Sequence, residues 1–220
     1  MPLRRSKQSL SFIVTVTLVI LLAFCIKTVS MTEQLSLQTK KISSAPETTV
    51  LPQTKYGHLP YSEADPTQLT NVQGKRAEIQ AASNFSAMAQ AAHQKGIELS
   101  VISAFRTISD QQYLFDKKIS RSGSAKAAAQ LVAPPGYSEH HTGFAFDIGD
   151  RQNAETDLRE AFEQTNAFRW LSTNAKKFGF ELSFPRHNRQ GVSYEPWHWR
   201  YVNSSLAQKV FLAAERFFSN

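Results

Sequence analysis

The strongest constraint on this chain is an uncharged hydrophobic stretch near its start. No charged residue lies between Lys7 and Lys27, which leaves 19 uncharged residues in a row. As a helix, this stretch would be roughly 28 Å long, about the thickness of the hydrocarbon core of a membrane. The basic residues before it favour a cytoplasmic location for that end. The rest of the chain is therefore predicted to lie outside the cytoplasmic membrane.

A cleaved signal peptide is the alternative interpretation of this stretch. Such a peptide needs small residues at its cleavage site, and Thr28, Val29 and Ser30 match that requirement poorly. Cys25 does not make a lipoprotein site, because the bulky Phe24 precedes it. We expect an uncleaved, single-pass anchor, and both interpretations predict export.

Three segments follow from this pattern. Residues 1–30 are predicted to form a basic cytoplasmic tip and a transmembrane signal-anchor. Residues 31–55 are rich in Ser, Thr, Gln and Lys, a composition typical of a flexible tether. Residues 56–220 have the hydrophobic patterning and the length of one ordinary globular domain.

Charge and cysteine content narrow the possible functions. The formal net charge is +7, but residues 1–30 contain four basic and no acidic residues, which leaves only +3 for the remainder. We therefore expect no nucleic-acid partner. The charge is compatible with work next to an anionic wall or membrane surface. The only cysteine, Cys25, lies in the hydrophobic stretch, so thiol and disulfide chemistry are excluded for the exported part.

Short helices and strands are predicted along residues 56–220, without the regular alternation of βαβ units. Apolar residues three or four apart predict a helix over residues 76–94, and alternation predicts a strand over 98–103. Ser109 and Gln112 form a capping box that opens a second helix. Further strands are predicted over 143–148, 180–184 and 197–202, and further helices over 168–178 and 204–217. The predicted fold class is α+β, a small mixed sheet with flanking helices.

Two segments concentrate the residues that carry chemistry. The first is SEHHTGFAFD, residues 138–147, and the second is EPWHWRY, residues 195–201. Together they supply imidazoles and carboxylates in a chain with only six histidines. Catalytic zinc sites commonly take three protein ligands from His, Asp and Glu and leave a fourth position for water. These segments therefore contain a candidate metal site.

His140, Asp147 and His198 are the predicted zinc ligands. A histidine in a loop and an aspartate on the adjoining strand can converge on one ion, and His198 would arrive on a separate strand. Glu195 precedes His198 by three residues, which places it near the metal without binding it, as a general base must be. On spacing alone, the alternative is that these histidines are hydrogen-bonded core or surface residues.

Both segments resemble those of the VanY-type D-alanyl-D-alanine carboxypeptidases, within a wider group of zinc peptidases that act on cell-wall peptides. The family pattern S-x-H-x-x-G-x-A-x-D matches residues 138–147 at every specified position, and E-P-W-H-x-R-Y matches residues 195–201. A third element, S-x-[YF]-R with Gln five residues after Arg, is also present. It is matched by Ser103, Phe105, Arg106 and Gln111.

The resemblance implies the same zinc ligands and the same catalytic base. It further implies that Arg106 lies in the substrate cleft, where it holds a carboxylate or stabilises an oxyanion. Gln111 and Ser138 would help to bind the terminal carboxylate of the substrate. Trp197 is predicted to contact substrate in the cleft, with packing beneath it as the alternative.

Four further residues, three of them histidines, are expected to have supporting or unrelated roles. His141 is expected behind the metal ligands or at the surface. Arg200 is expected to pair with a carboxylate inside the domain. His58 and His93 are expected at the surface.

The implied activity is zinc-dependent hydrolysis that removes the C-terminal D-alanine from peptidoglycan stem peptides, with the catalytic domain facing the periplasm or the wall. The motifs do not separate D,D- from L,D-specificity. A D-alanyl-D-alanine dipeptidase or a peptidoglycan endopeptidase is a close alternative. A non-catalytic module that binds wall peptides is a more distant one, because the predicted base Glu195 is present.

Overall fold

The computed structural model describes residues 53–218, so the predicted anchor and most of the predicted tether lie outside the described residues. The strands are β1 (Leu69–Val72), β2 (Lys75–Glu78), β3 (Leu99–Ser103), β4 (Ala145–Asp150), β5 (Phe180–Leu182) and β6 (His198–Tyr201). The α-helices are α1 (Ile79–His93), α2 (Ile108–Ser122), α3 (Ala125–Ala128), α4 (Asn166–Asn174) and α5 (Ser205–Phe218). Within this range, no helix has both the length and the apolar character needed to cross a membrane.

Four of the strands form one sheet in the order β3-β4-β6-β5. All pairs in it are antiparallel, so the predicted mixed sheet is wrong in strand direction, although helices and small sheets combine as expected. Strand β4 is inside the sheet, and all six of its residues are buried. In its register, Asp147 lies opposite Ser103 of β3 and His198 of β6.

The alternation of side chains along β4 and β6 separates the apolar core from a polar face. Phe146 stacks on Phe85 of α1 with ring centroids 5.3 Å apart, and it also contacts Phe180 of β5. Because successive side chains in a strand point to opposite faces, Asp147 points away from this core. His198 on β6 is directed to the same polar face, beside Asp147.

The predicted helix over residues 76–94 begins later than expected. Residues 75–78 form β2, which pairs with β1 through a tight turn at Gln73 and Gly74, both with positive φ. Two consecutive residues of this conformation favour a two-residue hairpin, so the turn places the following residues in a strand. Glu78 then caps α1, because its carboxylate accepts hydrogen bonds from the backbone N–H groups of Gln80 and Ala81.

Helices α2 and α3 form an arm with a small core of its own. The cap of α2 is Thr107 rather than the predicted Ser109, since the Thr107 hydroxyl accepts a hydrogen bond from the Asp110 N–H at 3.0 Å. The helix ends at Gly123, which has a φ of +79°. A separate apolar cluster holds this α2–α3 arm (residues 108–128) together. Its buried members are Phe115, Ala128 and Ala129.

Candidate active site

The three predicted zinc ligands converge on the polar face of the sheet. His140, Asp147 and His198 are buried, and one ligand atom from each lies within 4.8 Å of the other two. His140 Nε2 and His198 Nδ1 each lie 3.2 Å from an oxygen of Asp147. Atoms that share one zinc ion at about 2 Å lie roughly 3–4 Å apart. The spacing is therefore suitable for a single ion.

Local sequence explains how the first ligand reaches this point. His140 lies in a short 3-10 turn (Glu139–Thr142), and the Ser138 hydroxyl caps this turn by accepting a hydrogen bond from the His140 N–H. Gly143 ends the turn with a φ of +74° and approaches Glu78 closely. A Cβ at this position would lie 3.1 Å from the Glu78 nitrogen, so only glycine fits without displacement. Strand β4 begins directly afterwards and brings Asp147 beside His140.

Each imidazole has one nitrogen held from outside the ligand group. His140 Nδ1 lies 2.6 Å from the carbonyl oxygen of Ala104, which can only accept, so Nδ1 carries the proton and Nε2 is the free ligand atom. His198 Nε2 lies 3.0 Å from a carboxylate oxygen of Glu139, which leaves Nδ1 to face Asp147. Outer partners of this kind fix the orientation of metal-binding histidines. The residues present thus fit a zinc ion.

Glu139 is a buried residue for which the sequence predicts no role. Its carboxylate accepts hydrogen bonds from Arg200 Nη1 at 2.8 Å and from the Ser183 hydroxyl at 2.6 Å, in addition to its contact with His198. Burial alone would raise the pKa of Glu139, but the charges of Arg200 and His198 outweigh it and hold the pKa at about 2. Glu139 is therefore an anion that supports His198.

The sequence did contain a signal for this contact. His198 and Arg200 are two residues apart on β6, so their side chains lie on one face, where a single carboxylate can contact both. The expected pairing of Arg200 with carboxylates inside the domain is confirmed, since it binds both Glu139 and Glu181.

Two carboxylates flank His198, that of Asp147 at Nδ1 and that of Glu139 at Nε2. Burial lowers the pKa of His198, but the hydrogen bonds to Asp147 and Glu139 outweigh burial and raise the pKa to about 10. Attraction to His140 and His198 likewise overcomes burial and lowers the pKa of Asp147. The ligand group therefore concentrates negative charge where a cation would sit.

The predicted base, Glu195, lies beside the ligand group but outside it. Its Oε2 is 3.7 Å from His198 Nδ1, and the residue is only 6% exposed. Burial, with added repulsion from Asp147 and Glu139, raises the pKa of Glu195 to about 8. A base is most effective when its pKa lies near the working pH, so this position suits proton uptake.

Arg106 is held at the side of the same site. Its guanidinium donates to Gln111 Oε1 and to the Ser103 hydroxyl, each at 2.8 Å, and it lies 3.8 Å from Asp147. Gln111 also donates to the carbonyl oxygen of Ala133 at 2.7 Å. Guanidinium has five N–H donors and an amide has two, so both side chains keep donors for a ligand.

A cleft of about 400 Å³ opens above these groups. Trp197 lines it while also packing into the main core, and its contact with substrate stays a prediction. All eight predicted site residues line the cleft, namely Arg106, Gln111, Ser138, His140, Asp147, Glu195, Trp197 and His198. Their individual roles stay predictions.

Two other histidines lie close to the site. The surface location predicted for His58 is wrong, because it is buried, lines the cleft and places Nε2 2.8 Å from the carbonyl oxygen of Ala129. His141 is also buried, and its Nδ1 lies 2.8 Å from the carbonyl oxygen of Arg106. It therefore supports the backbone that carries Arg106. His93 is exposed, as predicted.

A comparison with protein families identifies the chain. Residues 74–204 match the sequence model of VanY, D-alanyl-D-alanine carboxypeptidase, which is more than half of the chain. The chain belongs to the VanY family. The match spans all three sequence elements and the entire four-stranded sheet of this VanY-family chain.

Individual relatives agree with the family. A D-alanyl-D-alanine carboxypeptidase of Enterococcus faecalis (strain ATCC 700802 / V583) is 36% identical over 154 residues, which cover 66% of this chain and 54% of the relative. The chain spans about half the length of the curated relatives it matches.

Two solved structures are also similar. The LdcB LD-carboxypeptidase has a TM-score of 0.56 and 35% identity, over 71% of this chain and 72% of that protein. A variant of the D,D-pentapeptidase VanY from a VanB-type resistance cassette, in complex with Zn(II), has a TM-score of 0.54 and 30% identity, over 72% of this chain and 94% of that protein.

Proposed function

We propose that this VanY-family chain is a zinc carboxypeptidase that removes the C-terminal D-alanine from peptidoglycan stem peptides. One observation carries the proposal: three ligand atoms converge within 4.8 Å at the bottom of a cleft, with the Glu195 carboxylate beside them. The name of the Enterococcus faecalis relative and the zinc in the D,D-pentapeptidase structure support it.

His140, Asp147 and His198 would hold the zinc ion. When bound, zinc supplies a Lewis acid and lowers the pKa of a coordinated water toward about 7. Glu195 would take a proton from the attacking water as the water oxygen bonds to the scissile carbonyl carbon. Glu195 then delivers this proton to the amine nitrogen as the carbon–nitrogen bond breaks, and D-alanine leaves.

Arg106 would supply a positive charge to the negatively charged groups of the substrate. Its remaining N–H donors would bind the developing oxyanion or the terminal carboxylate, for which a guanidinium has the matching planar geometry. Gln111 keeps one amide hydrogen, and the Ser138 hydroxyl keeps its proton, so both can donate to the terminal carboxylate.

The length of the cleft favours a peptide over a free dipeptide. Residues that line the cleft continue along α2 from Gln111 to Arg121, ten residues later, which corresponds to roughly 15 Å along the helix. An extended dipeptide is only about 7 Å long. This supports a carboxypeptidase that acts on stem peptides over a dipeptidase.

We also propose that the catalytic domain lies outside the cytoplasmic membrane, anchored through residues 8–26. The uncharged hydrophobic stretch and the basic residues before it support this topology. Alkaline phosphatase fused after residue 55 should be active, because that enzyme works only outside the cytoplasm. An inactive fusion present at normal levels would contradict the topology.

The activity can be tested with the full chain, purified in detergent micelles and loaded with zinc. We expect alanine release from stem peptides, followed by mass spectrometry. Release from the pentapeptide alone would identify D,D-specificity, and release from the tetrapeptide alone would identify L,D-specificity. No release from either, with one zinc per chain, would contradict the proposal and favour an endopeptidase or a binding module.

A further inference from the structure

Carboxylates within the cleft are confined to the metal end, where Arg106 also lies. The carboxylates that line the cleft are those of Glu139, Asp147 and Glu195, and all three belong to the metal end. We call this end, together with His140 and His198, the cleft floor. The wall beyond it, formed by α2, presents cations instead of carboxylates.

Three cations make up this basic wall, namely Lys117, Lys118 and Arg121. Lys117 and Arg121 are exposed, whereas Lys118 is half-buried. In residues 53–215, no carboxylate lies within ion-pair distance of these three side chains. The basic wall therefore keeps its charge available to a ligand in the cleft.

The placement of the basic wall follows from helix geometry. Gln111, Leu114, Lys118 and Arg121 are spaced three or four residues apart, so they share the face of α2 that lines the cleft. Lys118 and Arg121 follow Gln111 by seven and ten residues, roughly 10 and 15 Å along the helix axis. A terminal carboxylate held by Gln111 and Arg106 would lie too far away to pair with Arg121.

We propose that the basic wall binds a second carboxylate of the wall peptide, separate from the terminal carboxylate. An extended peptide covers about 3.3–3.6 Å per residue, so an acidic group within three or four residues of the scissile bond comes within reach. Stem peptides contain such a group, a D-glutamate linked through its side chain, whose α-carboxyl is either free or amidated. Resting on the proposed function, the inference is that stem peptides with the free carboxyl are the preferred substrates.

The test compares two stem pentapeptides that differ only in this group, free carboxyl against amide. Both are titrated calorimetrically into the zinc-loaded full chain carrying Glu195→Gln, which slows turnover enough for binding to be measured. We expect the free-carboxyl peptide to bind about fivefold more tightly, the strength of one exposed ion pair. The triple variant K117Q/K118Q/R121Q in the same background should lose this preference.

A matched control removes the same charge elsewhere. K75Q/K95Q/K176Q replaces three exposed lysines that do not line the cleft, and it should keep the preference. Equal binding of both peptides to the parent protein, or a preference that survives in the wall variant, would overturn the inference. Alanine release by the chain with Glu195 intact is measured separately. Its absence from stem pentapeptide and stem tetrapeptide alike would overturn the proposed function while leaving the binding comparison intact.

Discussion

The cleft floor and the basic wall are built in opposite ways. In the floor, buried side chains contact one another. Glu139 by itself makes three such contacts, with His198, Arg200 and Ser183. The wall is one face of a helix in the α2–α3 arm, and the core of this arm has only three buried residues. The cations of the wall are exposed or half-buried and form no ion pairs in residues 53–215. The floor is thus fixed by many contacts and the wall by few.

This difference indicates a division of labour. Reactions that depend on a metal, a base and an oxyanion donor need positions accurate to a fraction of an ångström, and interlocked buried side chains supply them. Recognition of a distant carboxylate tolerates mobile side chains. Substitutions in the floor should therefore affect metal binding and catalysis, and substitutions in the wall should affect substrate preference.

The largest effect is expected from removing a ligand. His198→Ala should abolish zinc binding and reduce alanine release to background, because only two of the three protein ligands would remain. Elemental analysis of the purified chain measures the zinc. His187→Ala, at an exposed histidine outside the cleft, is the control and should retain one zinc. Full zinc content in His198→Ala would contradict the ligand assignment.

Loss of the base should be nearly as severe but should spare the metal. We expect Glu195→Gln to lower kcat by about 10²–10⁴-fold, the usual contribution of general acid–base catalysis, with zinc content unchanged. The exposed Glu160 provides the control, Glu160→Gln, which should leave kcat unaltered. An unchanged rate in Glu195→Gln would favour a different base.

A smaller effect is expected from the carboxylate behind His198. Glu139→Gln should weaken zinc binding by about 10–100-fold, as is typical when an outer partner of a metal-binding histidine is altered. Competition with a chelator measures the affinity. Glu98, which pairs with the exposed His93 at 2.6 Å, offers a matched surface pair, and Glu98→Gln should have no effect. Equal zinc affinities of Glu139→Gln and Glu98→Gln would contradict a role for Glu139 in zinc binding.

The smallest effect on zinc affinity is expected from a substitution in the core of the α2–α3 arm. Phe115→Ala removes the largest side chain of the arm core, which should loosen α2 and raise KM for stem peptides while zinc affinity stays constant. Phe85→Ala in the main core should lower zinc affinity as well, because Phe85 stacks on Phe146, next to Asp147. Loss of zinc in Phe115→Ala would show that floor and wall are coupled.

The sequence predicted the site better than it predicted the fold. Strict motif spacing located the residues that the structure brings together, because His140 and Asp147 are joined by one turn and Asp147 faces His198 across a strand pair. Glu139 was missed because its contacts join the metal turn to β6 and to Ser183, 44 residues away. The spacing of His198 and Arg200 on β6 indicates a shared carboxylate, but only the folded sheet shows that this carboxylate belongs to Glu139.

Errors in the fold came from local patterns that tertiary structure overrides. The apolar period of α1 was extended back into β2, because a hairpin turn at Gln73 and Gly74 is a weak signal in sequence. His58 was expected at the surface, although Leu59 and Tyr61 beside it belong to the core. His58 contacts the carbonyl oxygen of Ala129, which directly follows α3 and lies 71 residues later in the chain.

X-ray absorption at the zinc edge of the zinc-loaded full chain tests the metal site most directly. We expect one zinc per chain, bound by two imidazole nitrogens and one carboxylate oxygen from His140, Asp147 and His198, with a fourth light ligand from water. A spectrum with one imidazole or none, or a spectrum unchanged by His198→Ala, would contradict this expectation.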